Sequence, residues 1–237
     1  METSRQYHFE EGETLLINKP YAWTSFDVIG KMRVILKYRI GLKKVKTGHA
    51  GTLDPLATGL LIVCTGKFTK RIDEFQGMEK EYTGTFRMGA TTPSFDMETD
   101  EDAHFDYSHL TESLINQSAQ KFVGELMQEP PIFSAVKIDG KRAYEHARKG
   151  RSVLLEPRKI TISEFEITRI ALPDIDFRIV CSKGTYIRAL ARDYGTELNC
   201  GAYLSALCRT RIGIYRLSDA MTMDEFETSV QPLIQSQ

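Results

Sequence analysis

The stretch Gly48-His49-Ala50-Gly51-Thr52-Leu53-Asp54-Pro55-Leu56-Ala57-Thr58-Gly59 places one carboxylate, one imidazole and three glycines within a dozen of the 237 residues of this chain. Glycine permits positive φ and a close approach of ligand to backbone, and Pro55 favours an extended conformation at Asp54. The apolar residues 60–64 that follow predict a buried strand. The sequence therefore predicts a rigid loop that presents Asp54, although Asp-Pro and glycine-rich segments also form turns without chemical function.

Charge is segregated along the chain around this loop. The segment Lys31–Lys46 contains seven basic residues and no acid, and a second basic stretch lies between Lys137 and Lys159. Acids gather instead in the segment Asp96–Asp106, which we expect to be a solvated loop that faces away from phosphates. A basic helix is often only a solvated face, but the position of Lys31–Lys46 next to the Asp54 loop favours a polyanionic partner.

The composition predicts a globular protein without a membrane span. With 41% hydrophobic residues the chain can bury a large core, and its net charge of -1 argues against a uniformly basic nucleic-acid binder. It has no apolar run of about 18 residues, and its polar start lacks a secretion signal, so we expect a cytoplasmic protein. The four cysteines form no Cys-x-x-Cys pair, so neither a disulfide nor a zinc site is expected.

Strand and helix patterns alternate without a regular βαβ repeat, which predicts an α+β architecture with a mixed sheet. Strand patterns cover residues 14–18, 60–64, 80–88, 134–138, 159–170, 176–181 and about 207–217. Helical patterns follow Ser25, which can act as an N-cap, and cover residues 68–75, 110–122, about 143–148, 185–198 and about 223–230. No linker divides the chain, so we expect a single domain over residues 1–237, within which residues 103–158 could form a smaller lobe.

The residues argue against nucleotide and metal chemistry. Gly66-Lys67 follows an apolar strand, but Phe68 stands where a phosphate-binding loop needs Ser or Thr. The five histidines lack the spacing of metal ligands, so no metal and no cofactor is expected. A carboxylate that works without either suits attack at, or proton removal near, the anomeric carbon of a sugar.

An ionised Asp54 in a closed pocket needs a nearby cation, because burial disfavours its charged form. Arg188, in Gly184-Thr185-Tyr186-Ile187-Arg188, is the best candidate. It lies in the first turn of a predicted helix, where a cation gains nothing from the helix dipole. The alternative is a surface pair of Arg188 with Asp193 or Glu197.

Five motifs, in the same order, resemble the TruB-type tRNA pseudouridine synthases, which isomerise uridine 55 in the T-loop of tRNA. They are Asn18-Lys19-Pro20 with Trp23-Thr24-Ser25, the stretch Gly48–Gly59, Lys80-Glu81-Tyr82, the segment Cys181–Arg188, and Gly201-Ala202 ahead of Leu207. The resemblance spans about residues 15–222. It implies a pseudouridine synthase fold, with a mainly antiparallel sheet flanked by helices and an active-site cleft on that sheet.

The resemblance also implies three catalytic residues and five that bind substrate. Asp54 would be the catalytic aspartate, Arg188 its ion-pair partner, and Tyr82 the ring that stacks on the target base. For Tyr82 a core position on an alternating strand is the competing interpretation. Among the residues that would bind substrate, His49 would enter the space vacated when the T-loop opens. Tyr186 and Leu207 would line the uracil pocket. Lys19 and Lys70 would support the active-site loop or contact phosphate.

The chain departs from the family pattern at a few positions. Pro93 stands where the family commonly has an aspartate, although Asp96 can occupy a later acidic position, and Ala22 stands where glycine is frequent. We expect no C-terminal PUA domain, so the protein should bind the T-stem-loop of tRNA through its catalytic domain and basic helix. A monomer is the default expectation. Two other functions stay open: a non-catalytic tRNA-binding or tRNA-folding factor, and the same isomerisation on another structured RNA.

Overall fold

The computed structural model describes residues 6–132, 137–138, 141–142 and 155–230. The chain divides into two compact units, one formed by Met1–Lys80 with Cys208–Gln237 and the other by Glu81–Leu207. The described elements, in chain order, are β1 (Thr14–Lys19), α1 (Ser25–Ile40), β2 (Thr47–His49), β3 (Thr58–Thr65), a 3-10 helix (Gly66–Arg71), α2 (Ile72–Gly77), β4 (Lys80–Met88), β5 (Ala90–Thr91), β6 (Ala103–His104), α3 (Glu112–Gln120), β7 (Gly124–Gln128), β8 (Lys137–Ile138), β9 (Lys141–Arg142), β10 (Arg158–Ala171), β11 (Asp174–Cys181), α4 (Ile187–Glu197), β12 (Ala202–Ile212), β13 (Tyr215–Arg216), a 3-10 helix (Leu217–Asp219) and α5 (Met223–Ser229).

The first unit is built around β3. This strand pairs antiparallel with β1 and with β2, and parallel with the end of β12, where Arg209 lies opposite Gly59. Helices α1 and α5 cover one apolar cluster of this unit, which includes Ile17, Met32 and Phe226. Burial of such side chains contributes about 1.5–3 kcal/mol each. The cluster therefore stabilises the sheet whose strands β2 and β3 flank the Asp54 loop.

Helix α1 begins with a capping box that the sequence analysis misplaced by one residue. The N-cap is Thr24, whose hydroxyl accepts from the Asp27 backbone N–H while the Asp27 carboxylate accepts from the Thr24 backbone N–H. Gly41, at φ 74°, ends the helix in the left-handed conformation. Ser25, the predicted N-cap, is buried instead. Because Thr24 caps the helix, the Ser25 hydroxyl is available for another contact.

In the part of the second unit that the structure describes, antiparallel strands are accompanied by the helices α3 and α4. β11 and β7 pair antiparallel with β10, and β4 lies between β11 and the first part of β12. An aromatic core fills this unit: the rings of Phe86 and Phe177 stack at 4.1 Å, and Phe165 meets both edge-on. The hydroxyl of Tyr194 on α4 donates to the Ile115 carbonyl of α3 at 2.7 Å, which joins the two helices.

Most predicted elements are confirmed within a few residues, and the α+β class is confirmed. The predicted helix over 68–75 is wrong in its first half, because the chain forms a 3-10 helix over Gly66–Arg71 before α2 begins. The predicted strand at 134–138 is described only at 137–138, and the predicted helix near 143–148 lies outside the described residues, as does most of the second basic stretch. Among the helices that the structure describes, none has the length and hydropathy of a membrane span.

Candidate active site

The Asp54 loop connects β2 to β3 in the first unit. It closes with the Ala50 N–H donating to the Ile62 carbonyl at 2.9 Å. A turn follows in which the Ala57 N–H donates to the Asp54 carbonyl at 3.1 Å, with Pro55 at the second position, where its fixed φ is favourable. Asp54 is half-buried at the start of this turn. Backbone hydrogen bonds thus define the loop and the turn in which Asp54 lies.

Lys19 anchors the turn through its side-chain ammonium. It is fully buried at the end of β1, and its ammonium donates to the carbonyls of Pro20 and Trp23 and, at 3.2 Å, to that of Pro55. Burial lowers the pKa of Lys19 to about 8, although the nearby carboxylate of Asp54 acts in the opposite direction. These contacts join the end of β1 to the turn, and the role of Lys19 in the site, as loop support or phosphate contact, stays a prediction.

Ser25 forms a second anchor. Its hydroxyl accepts from the Leu53 N–H at 2.9 Å and donates to the Leu53 carbonyl at 3.2 Å, so it satisfies both backbone groups of the residue before Asp54. The sequence analysis assigned Ser25 to the helix cap and missed this role. No local signal could have revealed it, because Ser25 and Leu53 are 28 positions apart.

Arg209 is the third anchor, and the sequence analysis did not single it out. Its side chain is among the largest that the fold buries completely, with 1% of the residue exposed. Its Nε donates to the Leu60 carbonyl at 2.8 Å and its Nη2 to the Gly51 carbonyl at 3.1 Å. The backbones also meet closely, since a Cβ at Gly59 would lie 2.4 Å from the Arg209 carbonyl oxygen. Only glycine fits there.

His49 ends β2 and is half-buried. Burial lowers the pKa of its imidazole, and the positive charge of Arg209 lowers it further, against a hydrogen bond with the Gly51 backbone. The ring is therefore neutral at pH 7. Its Nδ1 has no hydrogen-bond partner within the described part of the protein. Lys70, the remaining predicted residue of this unit, is exposed on the 3-10 helix Gly66–Arg71.

In the second unit, Arg188 is buried in the first turn of α4, with 4% exposed. Its Nη1 donates to the Ser94 carbonyl at 3.1 Å, and its Nε lies 3.5 Å from the Asp96 carboxylate. The alternative of a surface pair is wrong, because the two carboxylates proposed for it have other partners. Asp193 pairs with Arg192, and Glu197 pairs with Lys121.

Asp96 corrects the expectation of a solvated acidic loop. Only 5% of it is exposed, and its carboxylate accepts from the Glu98 N–H at 2.9 Å. Its own carbonyl accepts from the hydroxyls of Thr92 and Ser94 at 2.7 and 3.2 Å. The start of the acidic segment is thus a buried, hydrogen-bonded support for the Arg188 guanidinium, a cation whose burial requires a partner.

The other predicted residues of this unit line its strands and the start of α4. Tyr82 is on β4 with 8% exposed, and Leu207 is half-buried on β12. Tyr186 precedes α4, and the buried side chain of Gln128 fixes its backbone: Gln128 accepts from the Tyr186 N–H at 2.8 Å and donates to the Tyr186 carbonyl at 3.1 Å. Gln128 was not predicted. The pairing of Asp54 with Arg188 stays a prediction.

Comparison with known proteins gives two matching family models. The model described as TruB family pseudouridylate synthase (N terminal domain) matches residues 37–187, and that described as tRNA pseudouridylate synthase B C-terminal domain matches residues 188–234. A tRNA pseudouridine synthase B of Flavobacterium johnsoniae is 59% identical over 222 residues, which cover 93% of this chain and 97% of that protein. The protein of the same name from Phocaeicola vulgatus is 54% identical over 219 residues, or 92% of this chain and 93% of that one.

Solved structures show the same fold. A chain in the crystal structure of a Cbf5-Nop10-Gar1 complex superimposes with a TM-score of 0.71 at 27% identity and covers 93% of this chain. A chain in the structure of an H/ACA RNP bound to a substrate RNA containing 2'-deoxyuridine gives a TM-score of 0.67 at 24% identity. The present chain spans about half the length of each, 55% and 53%.

Proposed function

Since the chain belongs to the TruB family of pseudouridylate synthases, we propose that it converts uridine 55 in the T-loop of tRNA to pseudouridine, with Asp54 as the catalytic residue. The chain is an isomerase that acts on uridine in tRNA, and its fold is the predicted pseudouridine synthase fold. The observation that supports the role of Asp54 most strongly is the turn that presents its carboxylate between three buried anchors.

The reaction is an internal exchange of bonds. The bond between N1 of uracil and C1′ breaks, the base rotates, C5 bonds to C1′, and the proton on C5 leaves. Nothing enters or departs overall except protons exchanged with water. The Asp54 carboxylate either bonds to C1′ or removes the C2′ proton to give a glycal. Both routes need an ionised carboxylate, and Arg188 is the proposed cation beside it.

The target nucleotide must leave its stack to reach such a carboxylate. The proposed pocket takes the uracil against the ring of Tyr82, with Tyr186 and Leu207 as further lining. His49 is the residue proposed to enter the space that the opened T-loop vacates.

Helix α1 and the segment after it form the proposed tRNA surface, defined by Arg33, Lys37, Lys43, Lys44 and Lys46. All five are exposed. The Arg33 guanidinium lies over the Phe26 ring at 5.9 Å, and the Lys37 ammonium over the Tyr38 ring at 4.7 Å. Cations set against exposed rings can bind phosphates and unpaired bases at once. We place the T-stem-loop here, on a monomeric cytoplasmic enzyme, with Lys70 as a further phosphate contact.

The test is incubation with unmodified tRNA, followed by mapping of pseudouridine. The wild type should modify position 55, Asp54→Asn should be inactive, and Asp73→Asn, which changes an exposed acid on α2 of the same unit, should keep full activity. Folded wild type that leaves the T-loop unmodified contradicts the proposal. Function retained by Asp54→Asn indicates a binding or folding factor instead. Competition by a T-loop hairpin distinguishes tRNA from other structured RNA.

A further inference from the structure

Arg209 is a buried cation that donates to the Asp54 loop at Gly51 and to the start of β3 at Leu60. We infer that Arg209 is a positioning residue for the isomerisation: its guanidinium ties together the two ends of the loop and so fixes the site of the Asp54 carboxylate. This inference rests on the proposed function of Asp54. Arg209 touches no reacting atom in this account, and acts only through the loop backbone.

The geometry of the two bonds supports this role. Gly51 precedes Asp54 by three residues and Leu60 follows it by six, and one guanidinium donates to both carbonyls, at 3.1 and 2.8 Å. Because the guanidinium is planar and rigid, two bonds from its fork hold the separation and the direction of the two carbonyls together. An ammonium donates from a single nitrogen, so it can bind the two carbonyls only where both reach that one atom, and it does not impose their separation.

The backbone of Arg209 reinforces the tie. Arg209 lies opposite Gly59 in the parallel pairing of β12 with β3, at a distance that excludes any Cβ on Gly59. Arg209 thus contacts the chain just after the loop in two ways: its main chain lies against Gly59, and its side chain donates to Leu60. Lys19 and Ser25 bind other points, Pro55 and Leu53, next to Asp54 itself. The three anchors are therefore separable by mutation.

The test compares Arg209→Lys with Arg211→Lys in the full chain. Arg211 lies two residues along the same strand and pairs with Glu79, so it controls for loss of an arginine from β12. We expect Arg209→Lys to keep its tRNA affinity within about twofold while the single-turnover rate falls about 30- to 100-fold, as for a carboxylate displaced by a fraction of an ångström to about 1 Å. Arg211→Lys should change neither. An Arg209→Lys rate within about twofold of wild type overturns the inference.

A buried ammonium can destabilise the fold, so Arg209→Gln is the second variant, because glutamine is neutral and keeps an N–H donor. Amide hydrogen exchange at residues 51–61 is the second measurement, and it does not depend on activity. Both variants should exchange faster there while α3 and α4 stay protected. Unchanged exchange in folded Arg209→Gln contradicts the inference.

The His49 imidazole reports on the charge of Arg209 by NMR titration. Arg209→Gln should raise the pKa of His49, whereas Arg209→Lys should leave it closer to that of the wild type. The His49→Gln spectrum assigns the signal. If the wild type fails to modify tRNA, the proposed function fails, and exchange and titration still decide whether Arg209 holds the loop. If the wild type is active and Arg209→Lys equals it, only the role of Arg209 fails.

Discussion

Charged side chains are buried around the Asp54 turn, and for Lys19 this burial makes the hydrogen bonds to the turn sensitive to pH. Its protonated ammonium has three N–H donors for three carbonyls, whereas the neutral amine has two. Its pKa, lowered to about 8 by burial, puts the loss of this proton close to the physiological range. The hold on the loop should therefore weaken in mild alkali.

We expect the turnover number of the wild type to fall as pH rises through about 8, and this decline to be absent in Lys19→Arg, which stays protonated. A pH profile of single-turnover rate measures this decline, with Lys70→Arg as the exposed control.

The free energy of unfolding should instead increase over the same pH range. Between about 8 and the ordinary value of 10.5 the unfolded chain holds more protons than the folded one, so the contribution of Lys19 to stability increases with pH. An identical alkaline limb in Lys19→Arg would show that another group titrates.

Ser25 and Thr24 are adjacent, yet they act on different structures. Ser25→Ala leaves the buried Leu53 N–H without its acceptor, which costs about 1–3 kcal/mol, and it releases the residue before Asp54. We expect lower stability together with a slower single-turnover rate. Thr24→Ala removes only the α1 cap and should cost about 1 kcal/mol at an unchanged rate. Urea unfolding and rapid-quench assays of both variants make the comparison, and equal rates in the two would exclude an effect of Ser25 on Asp54.

At the scale of elements, α5 partly neutralises the basic face of α1. The Glu227 carboxylate accepts from Lys31 at 2.9 Å and from Arg39 at 3.1 Å, and these bonds lower its pKa, so it is ionised at neutral pH. The two cations are therefore less available to RNA than Lys37 and the lysines that follow α1. Their charge is balanced within the protein itself.

We expect Glu227→Gln to bind tRNA more tightly at low salt and to steepen the dependence of log affinity on log salt by roughly one, because a freed cation releases about one further counterion from the RNA. Asp224→Asn, on the same helix but outside this ion pair, is the control. Filter binding at several salt concentrations measures the slope. A slope unchanged by Glu227→Gln would mean that RNA does not reach this part of α1.

At the scale of the whole molecule, local patterns predicted more than long-range contacts. The periodicity of α1, the alternation of β4 and the glycines around Asp54 were sufficient to find the loop and its neighbouring elements. The contacts around Asp54 and Arg188 could not be predicted, because each joins residues that are far apart in the sequence. Gly51 and Arg209 are 158 positions apart, and Ser94 and Arg188 are 94 apart. Asp96 was misjudged for the same reason, since its burial depends on a helix much later in the chain.

The second unit, Glu81–Leu207, is inserted between the two parts of the first. Met223 and Phe226 of α5 pack in the same apolar cluster as Val28 and Met32 of α1. A ribosome therefore synthesises all of the inserted unit before it supplies the residues that complete the surrounding one. During translation residues 81–207 have their own core available first, and the Asp54 loop gains Arg209 only after that insertion has been made. The order of synthesis thus delays the Arg209 contacts with Gly51 and Leu60 until residues 81–207 have all been made.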